Sequence, residues 1–89
     1  MGLLELDTRM TIQEVTPEQA RYWLRRTRQS AVSFDRVIPL VESMERGEWD
    51  IVNIPNDPIV IHNGRLDNGN HRLTAILIHG KPMPLKVIQ

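Results

Sequence analysis

"LDNGNHRLTAILIHG", residues 66–80, decides how the rest of this chain is read. The polar and glycine-bearing run DNGNHR stands between Leu66 and a strongly apolar stretch. Just before it, "IVIHNGRL" places Asn63-Gly64 between two extended runs. That pair suits a type I′ hairpin turn, in which both central residues need positive φ. Strands are expected over 59–62 and 65–67, followed by a turn through Asn68-Gly69 and a helix from about Asn70. Leu73, Ile76, Leu77 and Gly80 share one face of that helix, and Gly80 is placed to end it in the left-handed conformation. Ile78 lies almost opposite, so the helix is either covered on two sides or offers an apolar patch, which keeps a homo-oligomer open.

Downstream, "MPLKVI" (83–88) reads as a last strand. Upstream, Leu4, Leu6, Met10 and Ile12 share one parity with Thr8, as in one half-buried strand or two short ones. "TPEQ" then gives Thr16 as N-cap, Pro17 at the first helical position and Gln19 placed to complete a capping box. The helix carries Ala20, Trp23, Leu24 and Thr27 on its apolar side, whereas Arg21, Arg25 and Arg28 run down another. After the polar turn in "RQSAVSFD", Ser33 is a second N-cap candidate, before Phe34, Val37, Ile38, Val41 and Met44 at helical spacing and Gly47 at the end. Pro39 inside this second helix predicts a kink or a delayed start.

The 89 residues, 40% of them apolar, suit a single domain over 1–89, with 1–8 loose or forming an extra strand. The fold class expected is α/β (α+β): a small mixed sheet with about three helices. Eleven basic and eleven acidic side chains cancel, so any charge-driven function is local rather than global. Without cysteine, disulfides, thiolate metal sites and thiol catalysis are excluded. With neither a signal-peptide pattern nor a long apolar run, the reading is a cytoplasmic protein without a membrane segment. One Phe, one Tyr and two Trp are too few for a stacking platform for single strands.

The DNGNHR junction admits two readings. A strand that turns through Asn68-Gly69 into a helix leaves amides pointing outward at the positive end of the helix dipole. Glycine permits close approach, Arg72 supplies a permanently charged planar donor, and Asn70 and His71 add more, so the junction reads as an anion cradle. Asp67 is able to orient His71 or Arg72, or to meet a metal. Alternatively, Asp67 or Asn68 caps the helix, Gly69 only permits a turn, and Arg72 pairs with a surface carboxylate.

The run "PIVIHNGRLDNGNHRLTAILIHGKPMPLKVI" resembles the core of the ParB N-terminal and sulfiredoxin-like superfamily: a strand, a hairpin, a Gly-x-x-Arg helix start, a helix ending in glycine and a last strand. "FDRVIPLVESMERGEW" is similar to that superfamily's preceding helix, so the resemblance extends over 34–88. Small standalone proteins with a "DGQHRL"-type motif, several of them phage-encoded, look most similar. The resemblance implies a ParB/sulfiredoxin-like domain whose Gly69, Asn70, His71 and Arg72 contact the phosphates of a nucleotide; Asn68 joins them as a candidate from the residue reading, and a nucleoside triphosphate or diphosphate with magnesium is the candidate cofactor. Departures narrow this. Sulfiredoxins have cysteine where Asn70 stands, which removes sulfinic-acid reduction. Partitioning ParB proteins have Glu-Arg where Asn70-His71 stands, which puts their nucleotide hydrolysis in doubt. Their DNA-reading helix-turn-helix would follow residue 89, so specific DNA reading is not expected.

Two further functions stay open: a small kinase or nuclease using His71 and Asp67, and a non-catalytic module gripping a protein partner through Arg21, Arg25 and Arg28 or the Ile78 side. The arginine face, with Glu18, also reads as a plain solvated surface. His62, His71 and His79 fit no metal-ligand spacing, so no metal site is expected. Trp23 and Trp49 read as core, and Glu48 and Asp50 as loop acids able to approach the cradle.

Overall fold

Asn63 and Gly64 have φ of 51° and 75° in the computed structural model, which describes residues 9–28 and 31–89. Both values lie in the left-handed region, as a type I′ turn requires. The turn joins β2 (Ile59–His62) to an antiparallel β3 (Arg65–Asn68). Val60 faces Asn68 while Ile61 faces Leu66, so Asp67 is an extra residue in β3 and turns outward at the resulting bulge. Three helices and two further strands complete the described residues: β1 (Met10–Val15), α1 (Pro17–Leu24), α2 (Phe34–Glu45), α3 (Asn70–His79) and β4 (Met83–Ile88).

The four strands form a mixed sheet in the order β1-β4-β2-β3, with β4 antiparallel to β1 and parallel to β2. Chain beyond α1 guards the outer edge of β3: the Leu66 amide donates to the Arg26 carbonyl at 3.0 Å, and the Arg28 amide to the Leu66 carbonyl at 3.0 Å. An edge paired in this way is closed to strand addition. One core draws on every element, with Val15, Ala20, Val37, Ile59, Leu66, Leu73, Ile76, Leu85 and Val87 almost wholly buried. α1 and α2 both pack on α3. No described helix is long and apolar enough to cross a membrane.

Local chemistry explains the helix ends. Thr16 Oγ1 accepts from the Gln19 amide at 3.1 Å, and Pro17 follows at the first helical position. α2 stops in a Schellman arrangement, the Gly47 amide reaching the Met44 carbonyl at 3.1 Å and the Glu48 amide reaching Ser43 at 3.0 Å, with Gly47 at φ 71°. Gly80, at φ 79°, ends α3 as the spacing predicts.

Three expectations need correction. β1 turns the other parity inward: Met10 and Ile12 are exposed and Val15 is buried, because Thr11, Gln13 and Val15 face the core residues Val87, Leu85 and Met83 of β4. α2 starts without delay at Phe34. Pro39 is accommodated inside it, where both it and Asp35, whose carbonyl its ring leaves without an amide, are exposed to water. Phe34 and Ile38 lie at the exposed side of α2 rather than in the core. The alternation at Leu4, Leu6 and Thr8, the extra strand over 1–8, and Gln29 and Ser30 of the polar turn lie outside the described residues.

Candidate functional site

Gly69 is the pivot of the β3–α3 junction. Its φ of 115° strains any L side chain, and a Cβ there would overlap the Ile59 Cδ1 methyl and lie 3.4 Å from the Ile59 Cα. Glycine thus lets α3 begin directly against the buried strand β2. As the N-cap residue it offers no side chain to the first amides of α3.

The flanking polar residues do not cap the helix either. Asn68 Nδ2 donates to Asp57 Oδ1 at 3.2 Å and to the Pro58 carbonyl at 2.9 Å. Arg72 donates to the Asp57 carbonyl, to Asp57 Oδ2 at 3.1 Å and to the Pro58 carbonyl at 3.4 Å. Two side chains of DNGNHR therefore clamp the segment leading into β2. Arg72 is only 9% exposed. Burial lowers its pKa from the usual guanidinium value, against the opposing pull of the Asp57 carboxylate.

His71 takes a different partner. Its Nε2 accepts the Ser33 amide at 3.1 Å, so the ring joins the amino ends of α2 and α3. Two helix starts with the same dipole sign thus adjoin. Asn70 is buried beside them, and the Thr74 hydroxyl donates to its carbonyl at 2.8 Å.

A cleft of about 560 Å³ opens at this junction. All five residues expected to contact a phosphate, Asn68, Gly69, Asn70, His71 and Arg72, line it. Its other five wall residues, Arg36, Leu40, Trp49, Pro55 and Asp57, were not singled out as site residues from the sequence, and Arg36 and Trp49 among them bear on its chemistry. Arg36, in the first turn of α2, is exposed, and among the described residues its guanidinium has no ion-pair partner. Trp49 is half-buried, packing on the core with part of its surface and lining the cleft with the rest. The spacing of Arg36 from an N-cap carried the signal for the first. For the second, a tryptophan just after a helix-ending glycine reads as core, and only the fold exposes its other face.

Other candidates lie elsewhere. Asp67 is outside the cleft lining and stands 3.9 Å from Arg28 Nε, so neither His71 nor Arg72 is its partner. Glu48 pairs with Arg46 at 3.1 Å, and Asp50 Oδ1 accepts the amides of Val52 and Asn53 at 2.9 and 3.0 Å. These acids hold their own loop. Arg21, Arg25 and Arg28 are exposed and away from the cleft. Among the described residues, no cluster of three His, Asp or Glu side chains is placed to hold a metal ion. Ile78 is 53% exposed. Compared with protein-family models, curated proteins and solved structures, the chain matches none.

Proposed function

We propose that the cleft at the start of α3 binds a phosphorylated ligand, a nucleotide by the chemistry of its walls, within a domain of the ParB/sulfiredoxin-like type. The observation that carries this reading is the convergence of an N-cap glycine, two adjoining helix amino ends and the Arg36 guanidinium around one concave space. Helix amino ends attract anions, and a guanidinium with no carboxylate partner adds a bidentate donor for phosphate. Trp49 offers a flat apolar wall for a base. The order of strand, hairpin, helix start, glycine stop and last strand supports the family reading, since it is the order the resemblance implies.

In this reading, Arg72 and Asn68 act as positioning residues. They hold Asp57 and Pro58, which fixes one wall, and their donors go to that segment rather than to the ligand. The His71 ring braces the two helix starts. No catalytic residue is assigned, because the pair considered for a kinase or nuclease, His71 and Asp67, have separate partners. Calorimetry with ATP, CTP and ADP, with and without magnesium, tests the proposal: one of them binds, and Arg36→Ala weakens that binding about tenfold or more. Absence of heat with all three, in a folded protein, would overturn it.

A second reading, a non-catalytic module that grips another protein, draws on exposed Ile78 and on the internal commitment of Arg72. Co-purification of a partner that is lost in Ile78→Glu, together with no nucleotide binding, would replace the first reading.

A further inference from the structure

Between Glu18 and Asp35 the sequence has four arginines and no acid. The fold adds a fifth. Because Thr27 bridges Leu66 in parallel register, Arg65 at the start of β3 comes beside the end of α1. Arg25, Arg26, Thr27 and Arg65 together line a second, smaller depression of about 290 Å³, separate from the nucleotide cleft. Arg26 is held there: its guanidinium lies 4.0 Å from the centroid of the Tyr22 ring and donates to the Tyr22 carbonyl at 3.3 Å. A cation–π contact of this kind orients the fork while leaving donors facing outward.

We propose that this arginine cluster is a sequence-independent seat for the phosphodiester backbone of a nucleic-acid strand. Three features decide the ligand class. Every cation is an arginine, whose planar fork matches phosphate oxygens in pairs. The depression has no aliphatic side chain in its lining, so an acidic protein partner would find charge there but no apolar pocket for its own side chains. The guanidinium groups come from two parts of the chain, Arg25 and Arg26 just after α1 and Arg65 at the start of β3, so the cluster can meet more than one phosphate. Among the described residues, the only carboxylate paired with an arginine of this region is Asp67, at 3.9 Å from Arg28, a long contact between side chains 35% and 53% exposed. Such an exposed pair is weak and leaves the local potential positive.

Fluorescence anisotropy with labelled oligonucleotides of about 20 nucleotides, single-stranded and duplex, between about 50 and 200 mM salt, tests this. The expected result is binding that weakens linearly with the logarithm of salt and depends little on base sequence. Arg25→Ala with Arg65→Ala reduces affinity by at least about tenfold and lowers the salt slope by roughly two, one for each phosphate left without its arginine. Arg25→Lys with Arg65→Lys keeps the charge and most of the slope. Lys81→Glu, which changes charge beyond the end of α3, leaves binding in place. Both alanine positions are exposed, so the doubly substituted protein keeps its melting temperature. No anisotropy change with either oligonucleotide at low salt would overturn the proposal, as would binding unaffected by the double alanine variant. So would poly-glutamate competing as well as nucleic acid at equal charge, which would assign the surface to an acidic polypeptide. None of these outcomes bears on the cleft, which Arg25 and Arg65 do not line.

Discussion

Among the described glycines, Gly69 is the one where an added β-carbon meets a neighbour, because the positive φ and the close approach of Ile59 both exclude it at the point where the cleft begins. Gly69→Ala should destabilise the fold by about 2–4 kcal/mol, through the forced conformation and the displacement of Ile59. Chemical denaturation measures this, and a loss below about 0.5 kcal/mol would mean the junction relaxes freely. Arg72 and Arg36, both lining the cleft, should separate in their effects. Arg72→Ala removes charge-assisted bonds to Asp57 and Pro58 and should cost about 2–3 kcal/mol of stability. Arg36→Ala should change stability by less than about 0.5 kcal/mol while weakening nucleotide binding. The reverse pattern would mean that Arg72 meets the ligand and Arg36 the fold. Sequence reasoning singled out Arg72 for its charge at a helix start. Its partner Asp57 lies fifteen residues earlier in a loop, beyond the reach of any local pattern.

At the scale of elements, what could be read in the sequence was what neighbours in sequence decide. Asn63-Gly64, the Thr16 cap and the Gly47 and Gly80 stops depend on φ preference and on bonds within a few residues, and these turns, starts and stops appear where expected, whereas α1 ends at Leu24 and Thr27, read as part of its apolar side, leaves the helix to bridge Leu66. β1 differs because alternation fixes two faces without saying which is covered; pairing with β4 puts Gln13 and Val15 over the core and leaves Ile12 outside. Thr16→Ala should therefore lower stability by about 1 kcal/mol, read by thermal or urea denaturation. The end of α2 carries a pH signature. Glu48 is held below the ordinary carboxyl value, first by the hydrogen bond from Arg46 and then by one from Ser43. A group with a depressed folded value stabilises above its unfolded pKa and loses that contribution as pH falls through the folded one. NMR titration should place the Glu48 midpoint below the ordinary glutamate value of about 4.3, and Arg46→Ala should move it upward. Because the pair is fully solvated, Glu48→Gln should leave the melting temperature at neutral pH nearly unchanged.

At the scale of the whole molecule, the core and the cleft are coupled, since the same junction that seats Ile59, Leu73 and Ile76 also aims the amino end of α3 at solvent. A ligand there binds only the folded state, so it must shift the unfolding equilibrium. At a free concentration of about one hundred times Kd the added stability is about 2.7 kcal/mol. In a domain of this size each kcal/mol moves Tm by roughly 4–8 °C, so a saturating nucleotide should raise it by more than about 10 °C. Arg36→Ala should retain the Tm of the unliganded protein and lose most of the shift, whereas Arg72→Ala should lower the unliganded Tm itself. An unchanged Tm with ATP, CTP and ADP at millimolar concentration would leave the adjoining helix starts without a phosphate to hold, and His71 and Gly69 would then serve packing alone.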